Sequence, residues 1–254
     1  VRSRRQRQMC IRDRVNRIWK NKVSVLMGDF ILSKALINLV GIKDFEALDL
    51  ISQTAEKLSS GEILQIEKSL TRSMTEKIYY DMINKKTASL ISTSCELGAI
   101  TSSKNNADRN NMRIFGENLG MAFQIKDDLF DMLGIESKTG KNVGADVKKN
   151  MITLPLIYSY SNLKKPESRL VKKILNIKNK SKDDIKKLKQ LINSSGGFDY
   201  AKQKIDEFSN QAIEAISEYP DSAYRQSLID LVGFNSNRNL SLIHISEPTR
   251  RTPI

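Results

Sequence analysis

Histidine is nearly absent: the 254 residues contain one, His244, and only two cysteines, Cys10 and Cys95. Zinc sites of the His/Cys type and hydrolysis by a Ser-His or Cys-His pair therefore lack their essential side chains. Cys95, inside SLISTSCELGAI, reads as a small buried hydrophobe, because no neighbouring histidine could activate it. A single core thiol cannot close an internal disulfide, which suits a reducing cytoplasm. No apolar run reaches the roughly 18 residues of a membrane span, so no transmembrane segment is expected. Strand-like alternation and internal repeats are missing as well. What remains is an all-α domain of about ten helices.

Positive charge is in excess, with 42 Lys and Arg against 29 Asp and Glu, a formal +13. Such a balance ordinarily points to nucleic acid, an anionic membrane surface or a phosphorylated ligand. Its placement changes that reading. Residues 1–14, VRSRRQRQMCIRDR, carry a net +5 and show neither helical periodicity nor a secretory apolar core. Residues 241–254, SLIHISEPTRRTPI, carry a net +1 and are equally unpatterned. Both tails resemble translated sequencing-adapter read-through. Taking them from the total leaves +7 for residues 15–240, the expected all-α domain. A genuine basic arm on nucleic acid is the alternative, and no nucleic-acid partner is expected.

The segment VNRIWKNKVSVLMGDFILSKALINLV spreads Val25, Leu26, Phe30, Ile31, Leu32, Ala35, Leu36 and Leu39 so widely that burial on most sides is expected. In KDFEALDLISQTAEKLSSGE, Phe45, Leu48, Ile51, Ala55 and Leu58 recur every three or four residues, predicting a helix that stops near residues 59–61. Ser73 with Glu76 predicts a capping box, and Ser181 with Asp184 another plausible cap. Lys85 and Lys86 together read, on residues alone, as a solvated face. TSSKNNADRNN, residues 101–111, reads as a loop. The Lys-rich helices from Lys164 to Lys189 read as a solvated surface, with peripheral contact to an anionic membrane as the alternative.

Most of the chemistry gathers between Gly116 and Pro155. Here Asp127, Asp128 and Asp131 lie on a helix, about residues 111–133, among Phe123, Ile125, Leu129, Phe130, Met132 and Leu133. Asp127 and Asp131 share a face, and Asp128 is about 100° round from Asp127. Each like-charged pair destabilises a bare helix by a few tenths of a kcal/mol, so a cation should compensate. Mg²⁺ takes oxygen ligands and is commonly held by one or two carboxylates plus substrate phosphates. An acidic turn facing solvent is the bland alternative. The loop that follows carries Gly140, Gly144, Lys138, Lys141, Lys148 and Lys149 without the order of a P-loop. Glycine admits a bulky anion and lysine meets phosphate oxygens, so a diphosphate is the implied ligand.

FQIKDDLFD, with GKNVGAD and TLPLI downstream, KTASL upstream and NRIWKNKVSVLMGDFIL near the start, closely resembles the trans-polyprenyl diphosphate synthases over about residues 15–238. The resemblance implies an isoprenoid-synthase-like bundle around a central cleft, usually dimeric. It implies a prenyltransferase that condenses isopentenyl diphosphate with an allylic diphosphate, using Mg²⁺ (or Mn²⁺) held between two aspartate-rich motifs. Asp127, Asp128 and Asp131 match the second motif, with Asp127 the first choice for direct ligation. Lys86, Thr87, Gln124 and Lys141 match contacts to the allylic diphosphate, and Lys86 and Lys141 are the catalytic cations. Lys85 stays solvated.

Two departures stand out. Met151 occupies a position that is often lysine in that family. The first aspartate-rich motif belongs upstream of NRIWKNK, where the foreign-looking tail stands, so the chain as given is expected to be inactive. A non-catalytic partner subunit of a heteromeric synthase and a terpene cyclase of similar fold are the alternative functions.

Overall fold

The computed structural model describes residues 23, 25–71, 73–103, 105–133, 152–177 and 180–237. Among them helices dominate and no strand occurs. A first helix, α1 (Val25–Ile42), is followed by α2 (Phe45–Thr71), α3 (Glu76–Ile83), a π turn (Asn84–Ala88) and α4 (Ser89–Ser102). Then come α5 (Asn106–Leu133), α6 (Leu154–Asn162), α7 (Lys165–Asn176), α8 (Lys182–Ser194), α9 (Gly197–Ala215) and α10 (Ala223–Asn237). The expected all-α class is observed.

Contacts divide the chain into two units, Val1–Ser52 with Asn239–Ile254 and Gln53–Arg238. In the first, α1 departs from expectation: Val25 is 61% exposed and Ile37 63%, where the wide apolar stripe predicts burial. α1 is also long and apolar enough to cross a membrane, by length and composition only. The sequence reading required an uninterrupted apolar run, which Asp29 and Lys34 break. Averaged over the helix, those two charges are outweighed. A helix that packs against protein passes the same test.

In the second unit α5 is central, packing against α4 on one side and α9 on another. The larger apolar core joins Tyr79, Met82 and Ile83 of α3 to Ile125 and Leu129 of α5, Leu156 of α6, Ile174 of α7, Leu188 of α8 and Ile205 of α9. A smaller one joins Phe115 and Leu119 of α5 to Ala212 and Ile216 at the end of α9 and Val232 of α10. Cys95 packs against this second cluster, and burial pushes its thiol pKa up, keeping it protonated and inert.

Local signals set several boundaries. Ser181 and Asp184 form the expected capping box of α8, with Ser181 Oγ accepting from Asp184 N at 3.1 Å. Pro155 and Pro166 sit in the first turns of α6 and α7, where a missing N–H costs no helical bond. Gly196 turns the chain from α8 into α9 at φ 78°, in the left-handed region that glycine enters freely.

Three expectations are corrected. α2 runs unbroken through residues 59–61 to Thr71, because Gly61 serves close packing there and not termination. Asn105 caps a new helix by accepting from Ala107 N at 2.9 Å, so the loop expected over residues 101–111 is helical at 101–102 and from 106 onward. The N-cap of α3 is Thr75, whose Oγ1 accepts from Ile78 N at 3.3 Å, in place of Ser73.

Glu76 is thereby released from capping and ties α3 to α9. Its Oε1 accepts from the hydroxyls of Tyr80 (3.0 Å) and Tyr200. Tyr158 stacks on Tyr200 with centroids 4.1 Å apart, and Phe208 meets Tyr80 edge-on at 5.8 Å. Burial first, then the Glu76 carboxylate, raises both phenol pKa values, that of Tyr200 to about 12. A phenol with a raised folded pKa adds stability that is complete below its ordinary value near 10 and is lost as pH climbs through about 12. Urea midpoints measured across that window should therefore fall less steeply with pH in Tyr200→Phe than in the parent chain. Parallel slopes would show that this phenol does not set the alkaline limit.

Candidate functional site

Residues 76–102 form one continuous helical rod interrupted by the π turn NKKTA. A π turn widens the helix locally and redirects the side chains on it. Two glycines permit this one to sit between its neighbours. A Cβ on Gly61 of α2 would stand 2.8 Å from the backbone N of Lys86, and a Cβ on Gly120 of α5 would stand 2.5 Å from Cα of Ala88. Any larger residue would push the turn away from one flanking helix.

The turn delivers Lys86 to a cavity of about 200 Å³ lined also by Gln65 of α2, Gln124 and Asp128 of α5, and Met74, Met82, Ile83 and Ile152. Lys86 Nζ donates to Gln65 Oε1 and lies 2.8 Å from Glu62 Oε2. Next to it, Thr87 Oγ1 donates to Gln124 Oε1 at 2.7 Å, and Gln124 Nε2 donates to Asp128 Oδ1 at 2.8 Å. Asp128 is only 7% exposed, and its Oδ2 accepts from the hydroxyl of the buried Tyr79 at 2.7 Å. Burying a carboxylate is costly unless hydrogen bonds replace water, and here both oxygens receive one. Lys85 points away and pairs with Asp81 at 2.8 Å on the surface, as a solvated residue should.

Of the residues singled out in the sequence, the fold brings Lys86, Thr87, Gln124 and Asp128 together. Asp127 and Asp131 are half-buried on α5 and are not among the residues lining this cavity. Lys141, Gly140, Gly144 and Met151 lie outside the described residues. Sequence reasoning missed Glu62, Gln65 and Tyr79. GEILQ did carry a signal: Glu62 and Gln65, three apart on one face, follow a glycine set against the lysine pair. Lys189, on a helix whose lysines suggest a solvated face, is half-buried. Burial lowers its pKa, while the charge of Asp131 acts in the opposite direction.

Among the described residues no group of three or more His, Cys, Asp or Glu side chains is arranged to hold a metal. A closed protein cage is therefore not what the described residues offer. Oxygen donors on one helix beside a lysine-lined cavity do match the open arrangement of Mg²⁺, in which carboxylates supply one or two ligands and phosphates complete the shell.

The polyprenyl synthetase family model matches residues 3–192. The chain belongs to this family. That match starts within the tail that reads as foreign. Solanesyl-diphosphate synthase 1 of Oryza sativa subsp. japonica, a mitochondrial protein, is 33% identical over 224 residues, covering 85% of this chain and 51% of the relative. All-trans-nonaprenyl-diphosphate synthase (geranyl-diphosphate specific) of Rhodobacter capsulatus is 31% identical over 220 residues, covering 87% and 67%. The crystal structure of a polyprenyl synthase from Caulobacter crescentus, complexed with calcium and isoprenyl diphosphate, superposes with a TM-score of 0.80 at 28% identity, covering 88% of this chain and 68% of that one. The chain thus spans about half to two thirds of the length of the curated relatives it matches. As chain-elongating synthases, these polyprenyl synthetase relatives support neither the terpene cyclase nor the partner-subunit alternative.

The two glycines give the site a direct test. Gly120→Ala should destabilise the protein by about 1–3 kcal/mol through overpacking against Ala88. Gly98→Ala, where a Cβ meets nothing within 4 Å, should raise stability by about 0.5–1 kcal/mol through helix propensity. Chemical denaturation of both variants checks the pair, and an unperturbed Gly120→Ala would remove the close-approach argument.

Proposed function

We propose that this chain carries the allylic-diphosphate wall of a chain-elongating trans-prenyltransferase. The enzyme condenses isopentenyl diphosphate with an allylic diphosphate to give a longer polyprenyl diphosphate. The observation that carries the proposal is the convergence of Lys86, Gln124 and Asp128 on one cavity, in a chain whose family consists of polyprenyl synthetases.

The chemistry asked of the site is heterolysis of an allylic C–O bond, C–C bond formation from the isopentenyl double bond, and loss of one proton. Lys86 presents a cation to diphosphate oxygens, exchanging its bond to the half-exposed Glu62 for the substrate. Gln124, held by the Thr87 hydroxyl, forms the edge of the cavity against which the diphosphate rests. Met74, Met82, Ile83 and Ile152 keep the reacting carbon out of water. Lys141 adds a second cation in this reading. Asp127, Asp128 and Asp131 would hold Mg²⁺, with Mn²⁺ as a substitute. The metal, when bound, neutralises charge growing on the leaving diphosphate. No covalent nucleophile is needed, consistent with the inert Cys95.

A homodimer is part of the proposal. α1 exposes apolar side chains along its length, and a second copy would cover them. A cytoplasmic setting is proposed from the scarcity of thiols, and peripheral membrane contact through the lysines of α7 and α8 is compatible with it.

Calorimetric titration of an allylic diphosphate should show binding by the chain that requires Mg²⁺. Lys86→Ala should weaken that binding by tenfold or more, whereas Lys85→Ala should leave it within twofold. Asp127→Ala should abolish the magnesium dependence while circular dichroism stays unchanged. Equal affinity with and without Mg²⁺ in the parent would refute the assignment.

A further inference from the structure

Asp128 accepts hydrogen bonds only, so the Gln124 side chain facing it must present its NH₂ group. The carbonyl of the same amide then faces Thr87, whose hydroxyl must donate. The polarity of the row is set from its buried end, and that end is Tyr79, 0% exposed, whose hydroxyl is 2.7 Å from Asp128 Oδ2.

We infer that Tyr79 is a positioning residue: it clamps Asp128 from α3 while Gln124 holds it from within α5, and so fixes the orientation of the Gln124 amide at the cavity edge and of the Thr87 hydroxyl bonded to it. This inference rests on the reading of that cavity as a diphosphate site. Without the clamp, Asp128 keeps the Gln124 bond but loses the donor that stops the carboxylate from turning. The amide can then rotate, and Thr87 can point its proton elsewhere. Gln124, which lines the cavity, held in this way keeps its second amide N–H to donate to an anion there. Tyr80, the next residue, provides a control within the same helix, because its hydroxyl goes to Glu76 and not to Asp128.

The test uses two readouts on the whole chain: the ¹⁵N-resolved side-chain amide resonances of Gln124, and titration with inorganic diphosphate in Mg²⁺. Tyr79→Phe should move the Gln124 resonances and weaken diphosphate binding about tenfold, the scale of one charge-assisted hydrogen bond. Tyr80→Phe should change neither, even if it lowers the melting temperature. In an Asp128→Asn background, Tyr79→Phe should alter binding by less than twofold, because the group it acts through is gone. Unmoved Gln124 resonances in Tyr79→Phe, or an equal loss of affinity in both backgrounds, would overturn the inference and leave Tyr79 a packing residue. If the parent chain fails to bind diphosphate at all, the functional reading falls, and the Gln124 resonances alone decide the role of Tyr79.

Discussion

Three helices meet at a distance that only glycine allows, and the arrangement of the cavity follows from that meeting. Gly61 on α2 and Gly120 on α5 bring two backbones against the π turn, one at Lys86 and the other at Ala88. Close packing of this kind has few soft modes, because displacing the turn means displacing a whole helix. Lys86 and Thr87 inherit that rigidity. A lysine on a regular surface helix would sample many rotamers. This one leaves a constrained turn and is held by Glu62 and Gln65, which reduces the entropy lost when it meets an anion.

Electrostatics adds a second constraint. The C-terminal end of α5 would repel itself if Asp127, Asp128 and Asp131 shared one environment. The fold separates them: Asp128 goes into the protein, to Tyr79 and Gln124, while Asp127 and Asp131 remain half-buried. Neighbouring residues of the same type thereby acquire different surroundings, Asp128 buried and Asp127 and Asp131 of intermediate exposure. The charge of Asp131 in turn reaches Lys189 of α8, so the acidic cluster is balanced partly by a helix whose lysines look purely solvated in sequence.

Much of the fold was legible because its signals are local. Periodicity gave the helices, and Ser181 with Asp184 gave a start that the structure keeps. Glycine was harder to read. Gly61 looks like a stop signal because glycine ends many helices, yet here it supports close approach to Lys85 and Lys86, 24 and 25 positions away, which periodicity cannot register. Ser73 lost the cap to Thr75 because Glu76 found two tyrosines instead, one of them 124 residues distant. At the site, Lys86, Thr87, Gln124 and Asp128 were legible through family resemblance. Tyr79, Gln65 and Glu62 were not singled out, since their importance lies in what they touch across helices. The exposure of α1 escaped the sequence for a related reason: an apolar stripe says that a partner is needed, not where that partner comes from.

The π turn has a further effect on the rod it interrupts. Because its residues take more than the usual number per turn, it shifts the phase of everything that follows relative to what precedes it. Before the turn, Tyr79, Met82 and Ile83 face the larger core; after it, Ile91 and Cys95 face the smaller one. A single helical rod thus meets the larger core before the turn and the smaller one after it. Winding the same residues as a regular α-helix would rotate α4 by about 100° against α3, so the turn sets the face that α4 presents as well as the placement of Lys86 and Thr87.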